Sequence, residues 1–302
     1  MRSAAFQPPD GPRTPGRRPP SIPASEPARL ERLVGICAAD LVEAFGAGPE
    51  LSGRRALERL ARPLVRGTAR RVALYDEIVG SCGLRAGGAW ALEQMAQSFE
   101  TSGAEGLPED GPLLVVSNHP GLADAVALFA SIPRRDLKVV AARRPFLDAL
   151  PNTARHLVVV PEGAGGVGPV REAARHLRAG GALLTFPAGK IEPDPALFPE
   201  EALALEGWSE SVALLARLVP GLVVVPAVVS GVLSRAALRN PLVLVRRREE
   251  DRRWLAAALQ MLAPPLRRVR TRVDFGRPLP ARGFATEKAL SEVRRMIAAR
   301  NP

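Results

Sequence analysis

His119 and Asp124 are the pair in this sequence whose types and spacing suit chemistry. They stand in VVSNHPGLAD, residues 115–124, where an apolar run stops at Ser117 and an imidazole follows, with a carboxylate after four intervening residues. A carboxylate on one ring nitrogen fixes the tautomer and stabilises the imidazolium, leaving the other nitrogen to remove a proton. Pro120 and Gly121 predict a sharp turn between the two. No serine sits in a GxSxG elbow, so the proton to be removed belongs to a bound hydroxyl rather than to a protein nucleophile. The competing reading is a satisfied structural histidine.

The elements around the pair must place it at the mouth of a sheet. PLLVVS (112–117), LKVVAAR (137–143), HLVVVP (156–161), ALLTFP (182–187), LVVVPAVVSG (222–231) and VRTRVDFG read as strands. Between and after them, ADAVALFASI, PVREAARHLRAG, GWSESVALLARLV, EEDRRWLAAALQML and TEKALSEVRRMIAAR read as helices. Apolar strands alternating with helices predict an α/β fold, a mainly parallel sheet covered by helices on both faces. Residues 28–107 read as an N-terminal helical region, with GAWALEQMAQSFETSG as its helical close and Pro63 as a kink or boundary. The predicted division is a proline- and arginine-rich disordered tail over 1–27, the helical region over 28–107 and the α/β domain over 108–302. Ligands gather beyond the carboxyl ends of parallel strands. SNHPGLAD, ARRPF, FPAGKIEPD and PEGAGGVG all fall there.

The formal net charge is +11, almost all of it from arginine, since lysine occurs only at 138, 190 and 288. Such a chain favours anionic partners: phosphates, acidic headgroups or nucleic acid. Scarce aromatics weaken the case for base stacking. Cys37 and Cys82 lie far apart and read as buried free thiols, and three histidines without paired spacing argue against zinc. The N-terminus lacks the apolar core of a signal peptide. The longest charge-free run, 218–234, contains two prolines and two glycines, and falls short of the roughly 20 apolar residues that span a bilayer. A soluble or peripheral protein is expected. The helical region either packs on the next domain or lays an amphipathic, arginine-flanked face on a membrane.

GAGGVG, residues 163–168, satisfies GxGxxG between a strand and a helix. The acidic residue that should end the next strand and hold a ribose hydroxyl is missing, because that strand ends in LLTFP. FPAGK is no P-loop: Leu184 stands where the first glycine belongs, and Ile191 follows Lys190.

NHPGLAD resembles the NHxxxxD box of the glycerolipid acyltransferases, the 1-acylglycerol-3-phosphate acyltransferase family. VVAARRPFLDALP is similar to the family's next segment, LLTFPAGKIEPD to its FPEGT-type box and VVVPAVVSG to its final box. The resemblance covers roughly residues 110–235. It implies a fatty acyl transfer from acyl-CoA or acyl-carrier protein, as co-substrate, to a hydroxyl of a lysolipid or related acceptor. Carried over, His119 is the general base and Asp124 its orienter. Asn118, Arg143, Arg144, Gly189 and Lys190 are the substrate-binding candidates, and no metal or cofactor is implied. An anionic membrane surface is a further partner, nucleic acid is not, and the location implied is cytoplasmic or peripheral on the inner face of the membrane. The chain departs from the family pattern at Ala188, Lys190, Ile191 and Pro161, where glutamate, threonine and two arginines are usual. Either Lys190, Arg143 and Arg144 supply the lost positive charge, or the acceptor is not lysophosphatidic acid; Glu192 and Asp194 read as a solvated loop. Two alternatives stay open: a non-catalytic anion-binding module for membrane or nucleic acid, and an NAD-binding enzyme using residues 163–168.

Overall fold

The computed structural model describes residues 26–161, 167–281 and 283–300. Nearly all of the tail expected over 1–27, and most of GAGGVG, lie outside the described residues. Three helices come first: α1 (Glu26–Ala44), α2 (Arg54–Cys82) and α3 (Leu84–Met95). Pro63 sits inside α2 rather than at a boundary. It removes one backbone donor from that helix.

The sheet is built from β1 (Ser98–Ser102), β2 (Leu113–Ser117), β3 (Lys138–Ala142), β4 (Leu157–Val160), β5 (Ala182–Thr185), β6 (Val223–Ser230), β7 (Arg270–Phe275) and β8 (Leu279–Pro280). Its order is β1-β7-β6-β2-β5-β3-β4, with β8 paired to β6. The run from β6 to β4 is parallel throughout, while β7 and β8 meet β6 antiparallel. The α/β reading holds, with one correction. Residues 98–102 are not the end of a helix but an edge strand, parallel to β7. Helices α4 (Asp124–Ser131), α5 (Pro145–Asp148), α6 (Pro151–Ala154), α7 (Val167–Arg178), α8 (Pro199–Leu203), α9 (Ser211–Leu218), α10 (Arg235–Leu238), α11 (Glu249–Leu262) and α12 (Thr286–Ala298) complete the fold.

Strand side chains alternate between faces, and β2 divides accordingly. Leu113 and Val115 join a core shared with α1 to α4, whereas Leu114 and Val116 join the core under α7, α9 and α12. Both faces are covered, so a strand with every residue buried reads as an unbroken apolar run. The helical region is tied down by a buried carboxylate. Asp76 accepts from Arg29 and from the backbone and side chains of Asn152 and Thr153 in α6. Cys37 is half-buried, but Cys82 is exposed, against the expectation that both thiols are buried.

Candidate active site

Strand β2 ends at Ser117 because the next residue leaves the ladder with its side chain in place of its backbone. The Asn118 amide donates to the Val229 carbonyl at 2.9 Å and accepts from the Val229 N–H at 2.8 Å. Asn118 is fully buried, so its amide fixes where the turn departs from β2 and β6 and is not offered to a ligand. The next residue, His119, is carried over β5, because Val116 pairs with Thr185 and brings Phe186 alongside. The imidazole stacks on the Phe186 ring, with centroids 4.4 Å apart and planes at 28°.

Asp124 then closes the turn. Its Oδ2 lies 2.6 Å from His119 Nδ1 and accepts the Gly121 N–H at 2.7 Å, while Oδ1 accepts the Ala125 N–H at 2.6 Å. The carboxylate opens α4, where helix N–H groups favour negative charge. Gly121 and Leu122 both take positive φ to make the bend, and Leu122 is the one non-glycine residue to do so among the described residues. The Asp124 side chain is 1% exposed and that of His119 28%. Nδ1 is therefore committed to Asp124, and Nε2 has no hydrogen-bond partner among the described residues. Burial opposes a proton on His119. The Asp124 hydrogen bond and charge, with the charge of Glu192 behind them, outweigh burial and raise its pKa above 6.5. The other two histidines are spent on backbone carbonyls, His156 on Leu137 and His176 on Ala182.

Glu192 and Asp194 are not a solvated loop: they are 4% and 2% exposed. Glu192 Oε2 accepts the His119 N–H at 2.8 Å, and Oε1 accepts the Trp208 indole at 3.0 Å. Burial outweighs these bonds and raises the Glu192 pKa. Asp194 receives the N–H groups of Ala196, Gly231, Val232 and Leu233. Together the two carboxylates fasten the segment after β5 to the histidine turn and to the end of β6. Their signal in the sequence was faint, two acids among prolines.

A cleft of about 1200 Å³ opens beside the dyad, floored by Pro120, Gly121 and Leu122 and walled by Lys190, Ile191 and Glu192. Of the predicted binding residues, Lys190 reaches this cleft. Gly189 is one residue earlier, with φ +63 and open space where a Cβ would stand. Arg143 and Arg144 do not line the cleft. They are exposed at the end of β3, and Arg143 pairs with Asp148 at 3.4 Å.

The site is thus a histidine oriented by a buried aspartate, at the carboxyl end of a central parallel strand and next to a large cleft, an arrangement with the geometry of a general base. Residues 98–230, from β1 through β6, match the family model described as Acyltransferase. The crystal structure of the 1-acyl-sn-glycerophosphate (LPA) acyltransferase PlsC from Thermotoga maritima is similar at 15% identity, covering 90% of this chain and 92% of that one with a TM-score of 0.41. No curated protein matches the chain.

Proposed function

We propose that the chain moves a fatty acyl group from acyl-CoA or acyl-carrier protein to a hydroxyl of a lysolipid or related acceptor. The observation that carries this reading is the 2.6 Å bond from His119 Nδ1 to a buried Asp124, with Nε2 left open. His119 Nε2 takes the acceptor's hydroxyl proton as its oxygen attacks the thioester carbonyl carbon. The tetrahedral intermediate collapses, the C–S bond breaks, and the departing thiolate takes the proton back from the imidazolium. Asp124 stabilises that imidazolium and keeps the ring in place.

The acceptor proposed is not specifically a phosphate monoester. Arg143 and Arg144 stand outside the cleft, and its basic side chains Lys190, Arg248 and Arg253 are outnumbered by Glu201, Glu206, Glu249, Glu250 and Asp251. A lipid acceptor would be met at a membrane surface. The exposed leucines 57, 60 and 64 of α2, interleaved with exposed Arg55 and Arg59, supply a face for that contact. Acyl thioesters are intracellular, which puts the proposed encounter on the cytoplasmic face. The test is free-thiol release by purified protein given acyl-CoA or acyl-carrier protein and a panel of lysolipids with different headgroups. Turnover that His119→Ala leaves unchanged would refute the mechanism, and no turnover on any acceptor would refute the activity.

A further inference from the structure

The segment between α10 and α11 exposes apolar side chains in a way the catalytic reading does not use. Pro241–Val245 forms a single 3-10 turn, begun by the Asn240 side chain accepting the Leu242 N–H. Val243 is buried and anchors it, while Leu242, Leu244 and Val245 are 47%, 67% and 56% exposed. Arginines 246–248 follow at once. Arg246 is fixed by the Glu43 carbonyl and by Asp251, whereas Arg247 and Arg248 are exposed and make no ion pair among the described residues.

This turn is continuous with two other features. Through Arg246 it abuts the corner between α1 and α2, where exposed Phe45 and Leu51 border an apolar groove of about 490 Å³ that runs along Leu57, Leu60 and Leu64. On its other side, Arg248 and the exposed Trp254 line the cleft beside His119. We infer that residues 241–248 are a second lipid-docking element, which joins the α2 face and seats the mouth of the cleft on an anionic bilayer. An apolar tip with a basic collar fits acyl chains below and headgroup phosphates around, and an interfacial tryptophan suits the same depth. A second copy of the chain fits poorly, because a twofold contact through this turn sets Arg247 and Arg248 against their own equivalents. Of the adjoining acids, Glu249 and Asp251 are turned to Arg253 and Arg246, while Glu250 is exposed on the cleft side, two residues past Arg248.

The inference gives the proposed lipid acyl transfer its route to substrate, but binding is measured without turnover, so the two fail separately. The full chain would be sedimented with phosphatidylcholine vesicles, with and without phosphatidylglycerol. Binding should require the anionic lipid, and should fall at least about tenfold in the triple variant Leu242→Ser, Leu244→Ser, Val245→Ser and severalfold in Arg247→Glu. Thiol release to a water-soluble acceptor should stay unchanged in the triple variant, which reports that it is folded. If that variant does not fold, Leu244→Trp replaces it, and brominated phosphatidylcholine in the same vesicles should quench its emission more than that of wild type. The inference is overturned by wild-type binding in a folded triple variant, by no added quenching in Leu244→Trp, by no binding to anionic vesicles, or by a stable dimer that occludes the turn.

Discussion

Glu192 holds His119 twice. Its N–H donates to the His119 carbonyl at 2.8 Å, and its carboxylate accepts the His119 N–H at 2.8 Å. The other carboxylate oxygen is taken by the Trp208 indole. A glutamine has one acceptor oxygen for these two donors, so one N–H would face an amide NH2. Glu192→Gln should cost about 1–3 kcal/mol in unfolding free energy. It should lower kcat about tenfold with a smaller change in KM, as expected when a proton acceptor is misplaced in the transition state. A loss confined to KM would mean that Glu192 binds substrate instead of positioning the base.

The pH profile follows from the dyad. The base must be neutral, so thiol release should rise with pH through the His119 pKa, which lies above 6.5. Asp124→Asn removes the hydrogen-bonded charge that raises it and leaves the burial that lowers it, so the midpoint should move to lower pH. The plateau should fall about a hundred- to ten-thousand-fold. Glu192→Gln should move the midpoint the same way by less, since its charge contributes less than that of Asp124. The stability linkage has the opposite sense to activity. A raised histidine pKa contributes stability in full below about 6.5, and that contribution is lost as pH rises through the folded value. Thermal unfolding across that window, in wild type and His119→Ala, checks the sign.

Asp194 supports the same segment without touching the histidine. Four backbone N–H groups converge on it, and three of them follow β6 directly. Asp194→Ala leaves those donors buried without acceptors, at a cost of about 3–5 kcal/mol. Denaturant unfolding should show the loss, with activity at low temperature retained to the extent that the fold is.

These carboxylates mark where reading the sequence stops. The dyad was legible because its determinants are local: an apolar strand, a Pro-Gly turn and a helix start within ten residues. The parallel strands were legible because burial on both faces makes them apolar throughout. Glu192 and Asp194 are polar residues in a proline-rich loop, and local pattern assigns such residues to solvent. Their burial depends on β5 lying beside β2, which brings Glu192 to a residue 73 positions away. Residues 98–102 failed for a related reason. SFETS is a polar edge strand with one neighbour, β7, which comes more than 160 residues later (Ser98 faces Arg270). Arg143 and Arg144 were adjacent to the right strand end but not to the cleft, a distinction set by loop direction and invisible to spacing.

Gly88 gives a last test, because two opposing effects act on one atom. A Cβ there would stand 2.6 Å from the Val126 carbonyl oxygen and 2.9 Å from the Ala130 nitrogen. Both are backbone atoms of α4, so no side chain can swing away to make room. Alanine is favoured over glycine inside a helix by about 1 kcal/mol. Forcing α3 and α4 apart costs about 1–3 kcal/mol, and the steric term should win. Asp124 is the first residue of α4, so a displaced α4 also withdraws the carboxylate from His119. Gly88→Ala should therefore lower both the melting temperature and kcat, with the pH midpoint moving downward as in Asp124→Asn. A variant that melts higher than wild type would show that α3 is free to shift, and that the helical layer does not set the position of the dyad.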